Sequence, residues 1–145
     1  MKRFNFPLER VRRWRREQAS LEELKLQQFR AEMAGLQAAQ RQIETDRAQS
    51  EQLVLTQRYI DPLLLVSLDS YRQYTAGKVR HLESRKQQWE AKIADQLNRV
   101  IEARRKFELL DRLRQAALDE WQAAVDKEQE DLAAELFLAK SGRKR

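Results

Sequence analysis

Between Pro7 and Pro62 the chain has no proline, after Pro62 it has none at all, and its only glycines, at 35, 77 and 142, lie far apart. A compact fold of many short elements needs turns, and turns need such residues, so a chain this short of them can build only a few long elements. The stretches between are filled with Gln, Glu, Arg, Lys, Ala and Leu, which combine high helix propensity with solubility, and 36% of the residues are charged. The sequence therefore predicts an all-α protein: an antiparallel two-helix coiled-coil hairpin with a longer C-terminal helix.

The prolines set its boundaries. Pro7 suits the first turn of a helix, where the missing N–H has no intrahelical acceptor, so helix 1 is expected over about 8–58. Asp61 can cap a new first turn with Pro62 at its first helical position, whereas a helix running straight through Pro62 would lose about 3 kcal/mol. The turn is thus placed at about 58–61 and helix 2 at about 62–139, ending before Ser141-Gly142, with a basic tail over 140–145. A rival turn at Thr75-Ala76-Gly77 is weaker, because a glycine inside a helix costs only about 1 kcal/mol relative to alanine.

A three-four stripe in helix 1 runs through Leu8, Val11, Gln18, Leu21, Leu24, Gln28, Ala31, Ala38 and Ala39. In helix 2 the corresponding line is Trp89, Ile93, Gln96 or Leu97, Val100, Arg104, Phe107, Leu110, Ala117, Trp121 and Ala124. A turn near residue 60 makes the numbers of facing residues sum to roughly 120, which sets Leu8 opposite Arg112 and Ala31 opposite Trp89. Ala31, Ala34 and Gly35 would then leave room for the indole. Beyond about residue 113 helix 2 would have no internal partner, yet apolar residues continue through Ala117, Leu118, Trp121, Ala124, Val125, Leu132, Leu136, Phe137 and Leu138. An apolar line without an internal partner suggests an external one.

Several functional classes find no support in the residues. There is no cysteine, so thiolate chemistry and disulfides are absent, and His81 alone cannot build a multi-histidine metal site. No glycine-rich phosphate loop occurs, and a two-helix coil offers no dry concave pocket for paired carboxylates. The expectation is a non-enzymatic protein with no catalytic, cofactor or metal site. The opening residues resemble no secretory signal, and the longest apolar run, Leu63 to Val66, is too short to cross a bilayer, which points to the cytoplasm.

The net charge of +6 is unevenly spread. Lys2, Arg3, Arg10, Arg12, Arg13, Arg15 and Arg16 crowd the start, while Asp126, Glu128, Glu130, Asp131 and Glu135 form an acidic block. Blocks of both signs without a recognised nucleic-acid motif argue against a specific nucleic-acid partner. Phe4, Phe6, Leu8, Val11 and Trp14 interleave with the basic residues, a pattern suited to an acidic protein surface or to peripheral association with anionic lipid. Among the aromatics, Trp89 and Phe107 read as packing between the helices, Trp121 as an exposed anchor beyond their overlap, and Tyr71 and Tyr74 as partner contacts or as packing near the turn.

Three stretches resemble the flagellar FliJ family, soluble coiled-coil stalk components of the flagellar type III protein-export apparatus. They are the opening Arg3-Phe4-Asn5-Phe6-Pro7-Leu8-Glu9-Arg10-Val11-Arg12-Arg13-Trp14-Arg15, the segment Tyr71-Arg72-Gln73-Tyr74, and Arg104-Arg105-Lys106-Phe107-Glu108-Leu109-Leu110-Asp111-Arg112-Leu113, followed by Trp121 and the acidic run ending at Asp131-Leu132-Ala133. Arg13 and Trp14 depart from the leucine-like character of the family's opening stripe. The resemblance implies an antiparallel coiled coil at the cytoplasmic face of the inner membrane. Its partners would be the hexameric flagellar export ATPase, the large membrane export-gate protein and export chaperones. Carried onto this chain, Leu8, Val11, Trp14, Leu118, Trp121 and Val125 would face the ATPase, and Tyr71 and Tyr74 the gate. The equivalent stalk of a virulence-type secretion system, or a general coiled-coil adaptor, are the alternatives.

Overall fold

A computed structural model describes residues 2–144 and contains two α-helices, α1 (Glu9–Leu55, 47 residues) and α2 (Pro62–Arg143, 82 residues), with no strand among the described residues. The helices pack against each other as a two-helix hairpin. The join follows from local chemistry. The side-chain Oδ1 of Asp61 accepts the N–H of Leu63 at 3.0 Å, and its carbonyl accepts the N–H of Leu64 at 3.0 Å, so Asp61 caps α2 and Pro62 opens it. At the other start, the Leu8 carbonyl takes the first α-helical bond, from Arg12 N at 2.9 Å, so α1 proper opens at Glu9 and Pro7 lies in the turn before it. Thr75-Ala76-Gly77 lies inside α2, and α2 also runs through Ser141-Gly142 to Arg143, four residues past the expected end. Lys140 and Arg143 sit in that last turn, where positive charge offsets the negative end of the helix dipole. Arg145 of the basic tail lies outside the described residues.

The chain divides into two compact units, and each helix contributes a part to both. The first comprises residues up to Ser20 and those from Ile101 on; the second is Leu21–Val100.

In the second unit, Leu26, Met33, Leu36, Leu68 and Val100 are buried. The side of α1 that meets α2 is Glu22, Leu26, Phe29, Met33, Leu36, Gln40 and Ile43, at strict three-four spacing. This corrects the expected stripe: Leu21, Leu24, Gln28, Ala31 and Ala38 are exposed. The seam lies one or two residues further along and includes Glu22 and Gln40, whose aliphatic stems cover apolar surface while their heads make polar contacts. A reading that follows apolar letters misses such a face. Trp89 packs edge-on against Phe29, with ring centroids 5.3 Å apart at 64°, rather than into a gap left by small residues. A Cβ built on Gly35 would meet only open space.

Gln96 is 3% exposed and donates from Nε2 to the Glu22 carbonyl at 3.0 Å and to the Glu22 carboxylate, so the amide nitrogen of this buried residue is engaged across the seam. A slip of one residue would strand it, which makes it a register device. On α2 the partly or fully buried residues run Leu68, Tyr71, Thr75, Val79, Leu82, Lys86, Trp89, Ile93, Gln96 and Val100. Two consecutive four-residue steps at 71–75–79 form a stutter that returns to regular spacing past Gly77.

In the first unit the buried apolar residues among those described are Phe6 and Ala19. Here α1 offers Arg12, Arg15 and Ala19 to Ala103, Phe107, Leu110 and Arg114 on the α2 side, with Arg104 and Ala124 exposed rather than in the seam. The Arg12 guanidinium donates to Asp111 Oδ1 at 2.8 and 3.0 Å, reaches Glu9 at 3.1 Å and lies over the Phe107 ring at 5.4 Å. Bonding to Asp111, reinforced by the charge of Glu9, raises the Arg12 pKa further above its ordinary value.

Candidate interaction surfaces

Residues 113 to 125 of α2 do not lack an internal partner. The non-helical segment Lys2–Phe6 lies against them: the Trp121 indole N–H donates to the Lys2 carbonyl at 3.1 Å, and the Phe4 ring packs at 6.0 Å from that of Trp121. The Arg114 guanidinium stacks over Phe4 at 5.6 Å and approaches Glu9 Oε2 at 3.5 Å, the only compensation that buried oxygen has, since it accepts no hydrogen bond. Chain that is not helical advances more than twice as far per residue as a helix, so a few residues before α1 reach further along α2 than a count of helix against helix would give. The stretch of α2 that is exposed throughout begins after Val125, not after 113.

This divides the six residues assigned to an ATPase contact. Leu8, Val11 and Trp14 are exposed, Trp14 by 49%, whereas Leu118, Trp121 and Val125 are half-buried. Trp121 is half-buried against Phe4 and Lys2 rather than fully exposed. The Arg15 guanidinium lies over the Trp14 ring at 4.5 Å, a cation–π contact that leaves the indole half exposed. Tyr71 is half-buried in the seam, while Tyr74 is exposed with Lys78 Nζ 4.8 Å from its ring centre, and contact with Tyr74 raises the Lys78 pKa. His81 lies on the exposed surface of α2.

Two further apolar regions are exposed, and the first of them escaped the sequence reading. Around the interhelical connection, Leu53, Tyr59, Leu63 and Val66 are all bare, Tyr59 by 82% and Leu63 by 74%. The signal for it was the uncharged run Pro62–Leu68, apolar on every side of a helix. In the last turns of α2, Leu132, Leu136, Phe137 and Leu138 are exposed, Phe137 by 70%, and a shallow groove beside Leu132 is lined by Glu128, Gln129, Asp131 and Glu135. Leu132, Leu136, Phe137 and Leu138 all belong to the expected apolar line, the acidic block was read from the sequence as well, and the helix that carries them runs unbroken to Arg143.

Among the described residues no three acidic, histidine or cysteine side chains gather as a metal site, and no helix is long and apolar enough to cross a membrane. No family of known proteins, no curated protein and no solved structure matches the chain.

Proposed function

We propose that this chain is a non-enzymatic stalk or adaptor protein of the flagellar type III protein-export apparatus. It binds the hexameric export ATPase through the start of α1 and meets the membrane export gate and export chaperones nearer the interhelical connection. The reading rests on the FliJ-like opening motif, and the observation that carries it is the exposure of Leu8, Val11 and Trp14 within a belt of arginines. An exposed Trp bracketed by Arg has the composition of a binding hot spot. Tyr74 is the better placed of the two tyrosines for the gate, because Tyr71 is largely occupied in the seam. Contacts of this kind raise turnover in a ring only where they distinguish one arrangement of subunits from another, while hydrolysis itself stays with the partner.

The test is steady-state ATP hydrolysis by the flagellar export ATPase near its assembly threshold, with wild-type chain and with Val11→Ser plus Trp14→Ala. Wild type is expected to stimulate, and loss of a hot-spot indole should weaken the contact about 30-fold without altering helical content. If wild type binds neither this ATPase nor its virulence-system counterpart, a general coiled-coil adaptor replaces the reading. If the variant stimulates fully, the start of α1 is not the contact.

A further inference from the structure

We infer that two copies of this chain pair reciprocally, the acidic last turns of α2 in each seating on the basic, tryptophan-bearing start of α1 in the other. Both surfaces belong to the first unit, and the inference does not depend on the export reading.

On α2 the line that carries Trp121 and Val125 continues at helical spacing through Leu132, Leu136 and Ala139. One edge of that line is Glu128, Asp131 and Glu135, none of which has a cationic partner among the described residues. On α1 the exposed pair Val11 and Trp14 is bordered by Arg10 and Arg13 on one side and Arg15 on the other. Arg10 and Arg15 have no acidic partner among the described residues, and Arg13 has only a 3.4 Å contact with Glu9 while 72% exposed. Each surface therefore supplies what the other lacks: an apolar line with unpaired acids, and an apolar pair with unpaired guanidiniums.

These surfaces cannot meet within one chain. α2 is continuous to Arg143, so its last turns cannot fold back onto α1. Tail on tail would set acidic edges against one another. A second copy resolves both difficulties, because each copy carries one surface of each kind and the exchange closes with twofold symmetry. Closure also doubles the contact. Asp126 to Arg143 span only about 27 Å of helix, and two such contacts, rather than one, suit the ~1,200–2,000 Å² of a specific interface.

Sedimentation equilibrium over a concentration series should show a monomer–dimer equilibrium that weakens between about 0.05 and 0.5 M salt. Two variants separate the surfaces: Glu128→Lys, Asp131→Lys, Glu135→Lys in the tail, and Arg10→Glu, Arg13→Glu at the start. Both sets lie on exposed helix, and circular dichroism checks that helicity is kept. Each variant alone should dimerise at least about tenfold more weakly than wild type. Mixed one to one, they should form a heterodimer, since the reversed tail of one meets the reversed start of the other. A wild-type chain monomeric throughout, a dimer indifferent to tail reversal, or a mixture that stays monomeric would each overturn the inference. Capture of a different basic helix by the tail of a strictly monomeric chain would transfer the acidic surface to that partner and overturn it equally.

Discussion

The two units of this hairpin use the same pair of helices and hold them in different ways. In Leu21–Val100 the contact is made by aliphatic side chains and by the Phe29–Trp89 ring pair, with Gln96 as its one buried amide. In the other unit, Phe6 and Ala19 are the only buried apolar residues among those described, the helices meet through Arg12 with Asp111 and Arg114 with Glu9, and Trp121 meets Phe4 of the segment before α1. Burial of apolar area supplies strength with little direction, whereas ion pairs and ring contacts supply direction with modest strength. The difference implies that resistance to unfolding is concentrated in the second unit, and that the first can rearrange at smaller cost.

The largest effect should come from a charge placed in the apolar seam. Val100 is 1% exposed, so Val100→Asp puts a carboxylate where it has no partner and should cost about 3–5 kcal/mol. Val11→Asp, a similar change on the exposed face of the first unit, should stay within about 0.5 kcal/mol. Urea unfolding followed by circular dichroism compares the two. Equal losses would break the contrast between the units.

The strap across the first unit comes next. Trp121→Ala removes the ring contact with Phe4 and the bond to the Lys2 carbonyl, and should cost about 1–3 kcal/mol. Trp121→Phe, which keeps a ring but loses the donor, should recover most of it. Amide exchange resolves where the loss falls: protection should drop at the strap residues Lys2 to Leu8 and remain unchanged near Phe29 and Trp89. Unaltered exchange in the strap would mean that Trp121 does not hold it, and the reading of Trp121 as a free anchor would return.

Much of the fold was legible in the sequence because punctuation is scarce. One Asp-Pro step in a chain of helix formers leaves little choice of where to turn, and Asp61 caps α2 as its chemistry suggests. The α2 seam from Trp89 to Val100, with Phe107 and Leu110 beyond it, was legible too, since its large side chains mark a face, but Ala103 is half-buried where Arg104 was expected. The α1 seam was not. Its inward face mixes Arg12, Arg15, Glu22 and Gln40 with Leu26, Met33 and Leu36, and the outward face holds Leu8, Val11, Leu21 and Leu24, so the two faces hardly differ in hydrophobicity. The strap was invisible for another reason: a segment before a first helix carries no periodic signal that would pair Phe4 with Trp121, although Pro7 already placed residues 2–6 outside the helix. Three residues assigned to the exposed extension, Leu118, Trp121 and Val125, are half-buried.

The smallest effect concerns the polar edge of the second unit. Glu83 accepts a hydrogen bond from Gln40 Nε2 at 3.0 Å, with Lys86 Nζ 3.6 Å away and itself 3.2 Å from Gln40 Oε1. The bond from Gln40, aided by the Lys86 charge, lowers the Glu83 pKa below the ordinary glutamate value. A carboxylate whose pKa is lower folded than unfolded adds stability that is complete above its unfolded value and is lost as the pH falls through its folded one. The contact across α1 and α2 should therefore weaken on acidification below the ordinary glutamate range, not on alkalinisation. The Glu83 side chain is 52% exposed, so solvent screens the contact and the effect should be smaller than that of either substitution above. An NMR titration of the Glu83 side-chain carbon should place its midpoint below that of a glutamate in an unfolded peptide, and Gln40→Ala should raise it. The Gln40 substitution separates pairing across the helices from the local attraction of Lys86, three residues along the same helix. If Gln40→Ala leaves the midpoint unmoved, Lys86 alone sets it, and the polar edge of the second unit does not join the two helices.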